Sequence, residues 1–132
     1  MRITKKQAMG IITKVNEQVK RSAKKEIDPK LFIALCKAHG IPRPIAQFQF
    51  HPERKWRFDW SWPWETSKDI PVALEIQGGI FTQGRHTRGA ALLKEMEKLN
   101  EAAILGYRIL YCTPKDVETG AIFPTIKRAL GL

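Results

Sequence analysis

Apolar residues recur along this chain with two different periods. Between residues 4 and 25, Ala8, Ile11, Ile12, Val15 and Val19 fall at helical spacing with lysines around them, which predicts an amphipathic helix. A second helix is predicted over "PKLFIALCKAH", residues 29–39. Asp28 can cap it, Pro29 suits its first turn, Gly40 suits its stop, and Pro42 and Pro44 forbid continuation. Apolar on one side, it is expected to pack on a sheet. Residues 88–105 predict the longest helix, with Ala91, Leu92, Met96, Leu99 and Ala103 as its core stripe and Gly106 at its end. Lys94 and Lys98 lie off that stripe, as on a solvated helix face. Thr113-Pro114-Lys115-Asp116 reads as a capped helix start, and "FPTIKRALGL" as a last short helix.

Period-2 alternation marks the strands. "AQFQFH" (46–51) sets Gln47, Gln49 and His51 against Phe48 and Phe50. "KWRFDWSW" (55–62) sets Arg57, Asp59 and Ser61 against Trp56, Phe58, Trp60 and Trp62. The short connection His51-Pro52-Glu53-Arg54 fits a hairpin, and Pro63 ends the second strand. "VALEIQ" (72–77) and "YRILYC" (107–112) complete the set. Gly78-Gly79 and the polar loop "IFTQGRHTRG" follow the third strand. With no repeat or linker, 132 residues predict one α/β domain, a mixed central sheet flanked by helices. Its basic N-terminal helix takes residues 1–27 and its core 28–132.

Charge adds a partner class. The net charge is +10, and its distribution is uneven: residues 1–58 hold 14 Lys/Arg against 4 Asp/Glu, whereas residues 59–132 hold 9 of each. A basic half beside a neutral one suits a polyanion approaching from one side, although such charge also serves solubility alone. Lys20, Arg21, Lys24 and Lys25 form its densest cluster. Cys36 and Cys112 have no CxxC partner, which points to core thiols in a reducing cytoplasm, not a zinc or disulfide framework. No apolar run approaches membrane-spanning length, and charges interrupt the N-terminus too often for a signal peptide.

The third strand carries the anomaly. Glu75 and Gln77 share one face while Val72, Leu74 and Ile76 point to the other. A charge inside an apolar strand needs a partner unless the strand lies at an edge with a solvated face. If the strands at 55–62 and 71–77 pair, Asp59 and Glu75 lie on the same face. Two neighbouring carboxylates make a hard oxygen site suited to Mg²⁺ or Mn²⁺. Such an ion polarises a phosphoryl oxygen and lowers the pKa of an attacking water.

These residues resemble the PD-(D/E)XK nucleases, which have the restriction-endonuclease-like fold. The family pattern is an Asp on one strand, then Glu-x-Lys on the next, followed by a helix and another strand; here it reads Asp59 … Glu75-Ile76-Gln77. The resemblance extends to phage and bacterial proteins over Phe50–Asp59, Glu75–Gly79, Gly84–Gly89, Glu97–Asn100 and Leu105–Leu110, within residues 28–113. More remotely, the chain is similar to very-short-patch repair and virus-type replication-repair nucleases.

The resemblance implies a Mg²⁺- or Mn²⁺-dependent DNA endonuclease, compatible with action on branched or nicked DNA, with a phage origin in a host cytoplasm, and with a homodimer. It implies metal binding by Asp59, Glu75 and Ile76. Arg57, Arg85, His86, Arg88 and the Lys20–Lys25 cluster become candidate DNA contacts. Gln77 departs from the family by standing where lysine is usual. An amide can position water but carries no charge, so the cationic role is expected to move to Lys98 or to fall on the metal. Trp56, Trp60, Trp62 and Trp64 offer a base-stacking platform or core, with Trp62 and Trp64 the expected exposed pair. A catalytically silent DNA-binding module of the same fold is the main competing reading. An RNA-associated structural protein accounts for the charge but leaves Asp59 and Glu75 unexplained.

Overall fold

A hairpin and a crossover build the sheet. The computed structural model describes residues 4, 5, 7, 27–67, 69–77 and 85–132, and of residues 85–88 the backbone alone. Strands β1 (Ile45–Gln49), β2 (Arg57–Trp62), β3 (Val72–Ile76) and β4 (Arg108–Cys112) lie side by side in chain order. β1 pairs antiparallel with β2, and β2 antiparallel with β3. β3 and β4 run parallel, which requires a long crossover, supplied by helix α3 (Arg85–Ile104). Helices α1 (Pro29–Ala38), α2 (Trp64–Ser67), α4 (Pro114–Glu118) and α5 (Ile122–Ala129) complete the described elements. The predicted helix over residues 4–25 lies outside the described residues, save that Thr4 and Gln7 exchange a capping-box pair of hydrogen bonds.

Local signals explain several boundaries. The Asp28 side chain accepts from Lys30 N–H at 2.9 Å, starting α1. Gly40, at φ 71, ends that helix in the left-handed region that glycine enters without penalty. Thr113 and Asp116 form the expected reciprocal capping box of α4.

One sheet face carries the larger core. Phe32 and Cys36 of α1, Trp60, Trp62, Val72 and Leu74 of the sheet, Val117 of α4, and Ile122, Phe123 and Ile126 of α5 are buried together. Phe32 stacks on Trp60 with centroids 4.4 Å apart. Each such large apolar side chain stabilises the fold by about 1.5–3 kcal/mol. On the opposite face Phe50, Phe58, Ala73 and Ala102 of α3 form a smaller cluster, with Tyr107 and Ile109 packed against it.

Four expectations are corrected. Phe58 and Trp60, two residues apart, do not share a face: Phe58 stacks on Phe50 at 4.1 Å beneath α3, while Trp60 joins α1. The register passes from Ala46↔Trp60 to Phe48↔Phe58 across Gln47, whose φ of 50 breaks the regular pleat. Trp62 is fully buried and donates its indole N–H to Pro42 O at 2.7 Å, so of the expected exposed pair only Trp64 reaches solvent. The loop "IFTQGRHTRG" is shorter than expected, because α3 begins at Arg85; Gly78–Gly84 lie outside the described residues.

The fourth correction concerns the roll of α3. Its apolar stripe was expected inside, yet Leu92 and Met96 are 54% and 51% exposed, and Ala103 is exposed as well. Lys98 is buried against the sheet, with Ala102 one turn further on. No helix among the described residues is long and apolar enough to cross a membrane.

Candidate active site

The roll of α3 brings Lys98 to Glu75. Glu75 leaves β3 on the α3 face and Lys98 comes down from the helix, so that Lys98 Nζ donates to Glu75 Oε1 in an ion pair. Both residues are buried, at 7% and 9% exposure. The Lys98 ammonium also lies 5.4 Å from the Phe58 ring centroid, within cation–π range. Phe58, which lies across the β1–β2 ladder from Phe48 and next to the irregular Gln47 position, forms part of the wall around the lysine.

Asp59 is positioned by the end of the β2–β3 ladder. The last paired residues are Trp60 and Leu74, and one step beyond them the Asp59 Oδ2 atom accepts from Ile76 N–H at 2.7 Å. A side chain therefore satisfies a backbone donor of β3, and Asp59 is pinned beside the strand that carries Glu75. Gln77 continues the other ladder by donating its N–H to Cys112 O at 2.7 Å, and its side chain is half-buried.

The electrostatics follow from this crowding. Burial raises the Glu75 carboxyl to about 7; the Lys98 hydrogen bond and charge pull it down, while Asp59 and Glu95 push it up. Lys98 offsets only part of the cost of burying the carboxylate. Tyr111, register partner of Glu75 on β4, is raised to about 12 by burial and by Glu95 and Glu75. The Cys112 thiol is pushed up to about 12 by burial, Asp116 and Asp59, which keeps it protonated and unreactive. Cys36, also buried, is likewise raised to about 12.

Among the described residues no cluster of three or more His, Cys, Asp or Glu is arranged to hold a metal ion. Among the described residues Asp59 and Glu75 are the two carboxylates that the paired strands β2 and β3 bring together. That donor set does not fit a zinc site or a calcium cage. It does fit Mg²⁺, which binds through one or two carboxylates, retained waters and substrate phosphates.

The other candidates are more scattered. Arg57 is exposed at the start of β2, two residues from Asp59. Arg85, His86 and Arg88 lie in the first turn of α3, not in a loop. Lys20, Arg21, Lys24 and Lys25 lie outside the described residues. Lys94 is exposed. A hairpin clamp unforeseen in the sequence braces α3: His51 Nε2 meets Glu101 at 3.4 Å and Arg54 meets Glu97 at 3.0 Å. His51 Nδ1 accepts from the Glu53 and Arg54 N–H groups, which places the donating proton on Nε2 facing Glu101. Glu95 and Tyr111 were also missed, although pairing β3 with β4 in parallel would have pointed to Tyr111.

No family model matches the sequence, and neither a curated protein nor a solved structure does so.

Proposed function

We propose that this chain is a Mg²⁺- or Mn²⁺-dependent DNA endonuclease with a restriction-endonuclease-like core. The observation that carries the reading is the meeting of Asp59, Glu75 and Lys98 from three elements, with lysine supplied by α3 where the strand carries Gln77. Two carboxylates and an ammonium are the side chains that metal-assisted phosphodiester hydrolysis needs.

Asp59 and Glu75 would hold the ion, with the main chain of Ile76, the residue after Glu75, beside them; bound there, it would polarise the scissile phosphate and acidify a water. Glu75 would exchange part of its bond to Lys98 for the ion. Lys98, whose ammonium sits at Glu75, would supply positive charge to negative charge developing on the phosphate oxygen. The Gln77 amide orients water. Arg57 and the basic N-terminal half hold the DNA backbone, a sequence-independent attraction that weakens with salt.

The test is a panel of single-stranded, nicked, branched and duplex DNAs incubated with Mg²⁺ and with Mn²⁺. Metal-dependent cleavage is expected, with Glu75→Ala and Asp59→Asn inactive while circular dichroism stays native. Wild-type rates in either variant refute the metal assignment. One observation favours a second reading, a catalytically silent DNA-binding module: Lys98 is engaged by Glu75 and the motif position is an amide. DNA binding without cleavage of any substrate in the panel would select it.

A further inference from the structure

Tyr111 is the one aromatic residue of β4 whose register places it beside the carboxylates. It pairs with Glu75 across the parallel β3–β4 ladder, so both side chains leave the sheet on the same face, about 4.8 Å apart at the backbone. β4 is the outer strand of the described sheet on that side, and Tyr111 is 45% exposed. The core does not require this ring: Phe58, Ala73 and Ala102 close the smaller cluster, with Tyr107 and Ile109 against it. A phenol is neutral at physiological pH. What it offers a ligand is an uncharged aromatic surface at the rim of an acidic pair.

That surface suits an unpaired nucleobase and excludes one stacked inside a duplex. A base inside an intact duplex has both faces covered by its neighbours. Only an unpaired nucleotide can turn a face to a protein ring, and stacking of this kind tolerates any base because every base has a π-face. A phosphate held at Glu75 would be one strand away from Tyr111, within the span of its own nucleotide.

Resting on the nuclease reading above, we propose that Tyr111 is a stacking platform for the base adjoining the phosphate held at Asp59 and Glu75. The site therefore takes single-stranded DNA in preference to intact duplex. Tyr111 is thus a positioning residue that selects the substrate class.

The experiment measures anisotropy of a short fluorescent oligodeoxynucleotide, single-stranded or annealed, with the full chain in Ca²⁺, and cleavage of the same DNAs in Mg²⁺. Tyr111→Ala is expected to loosen single-strand binding by roughly tenfold to a hundredfold, the range for loss of one stacked base. Tyr111→Phe should retain wild-type affinity, and duplex binding should be unchanged in both. In Mg²⁺, Tyr111→Ala should raise KM for single strands and leave kcat in place. Tyr111→Leu, which keeps an apolar side chain in the strand but removes the ring, guards against misfolding and should bind as the alanine variant does.

Unchanged single-strand binding in Tyr111→Ala and Tyr111→Leu overturns the proposal, as does a wild-type preference for duplex. Loss of binding in Tyr111→Phe equal to that in Tyr111→Ala also overturns it, because the hydroxyl would then be the contact. If the wild type cleaves nothing but the alanine variant still loses single-strand affinity, the stacking role stands and the nuclease reading falls.

Discussion

Replacing Lys98 with methionine isolates the charge of the buried pair. Methionine keeps an unbranched stem beside Phe58 and suits a helix, so the main loss is the ammonium that bonds Glu75. A buried carboxylate deprived of its partner costs ~3–5 kcal/mol. Glu75 can escape that cost by taking up a proton. Its pKa is about 7 with Lys98 present, and Lys98 pulls it down, so the variant's value is higher.

The sign of the pH dependence follows. Raised in the fold above its ordinary 4.5, Glu75 contributes stability that is full below 4.5 and drains as pH rises through 7. In Lys98→Met the drain extends to higher pH and goes deeper, at ~1.4 kcal/mol for each unit of added shift. At pH 5 the variant should lose only about 1 kcal/mol, the net value of one hydrogen bond. At pH 8, one unit above the wild-type value, it should lose about 2 kcal/mol, since that unit adds at most ~1.4 kcal/mol. Urea denaturation in EDTA at the two pH values reads this directly. Glu75→Gln in the Lys98→Met background removes the titrating group and should flatten the difference. Equal losses at pH 5 and pH 8, or a pH dependence that survives in the double variant, would refute the reasoning.

Two further outcomes are expected. Lys98→Ala should cut turnover by about 10²-fold with little change in DNA affinity, if it stabilises transition-state charge, and Gln77→Lys should restore part of that loss; normal cleavage in Lys98→Ala with a dead Gln77→Ala would make Lys98 a structural lysine. Neutralising Lys20, Arg21, Lys24 and Lys25 together should lower the slope of log affinity against log salt by up to about 3, since each lost phosphate contact releases fewer counterions; an unchanged slope would place the DNA elsewhere.

Short-range physics was legible in the chain. The Asp28 cap, the Thr113–Asp116 box and the Gly40 stop each act within a few residues, and the structure has all three. Three of the four strands followed from period-2 alternation, and an antiparallel β2–β3 pair was enough to bring Asp59 to the strand of Glu75. The sequence also marked Glu75 as a charge in need of a partner.

Which partner answers Glu75 was decided by tertiary structure. Periodicity assigned the inside of α3 to Leu92 and Met96, because it weighs only apolarity around one helix. The fold instead turns Lys98 inward and leaves those two exposed, since the buried carboxylate of a strand 23 residues away requires a counter-charge. The separation of Phe58 from Trp60 was equally out of reach. It coincides with a left-handed φ at Gln47 in the neighbouring strand, and a strand's own pattern carries no record of its neighbour's backbone. Trp62 reads as exposed beside Pro63, but Pro42 O, 20 residues earlier, gives its indole N–H a buried partner. Residues adjacent in sequence set the elements; contacts between distant residues set their rotation, because the cost of burying a charge or a polar group is settled only where two elements meet.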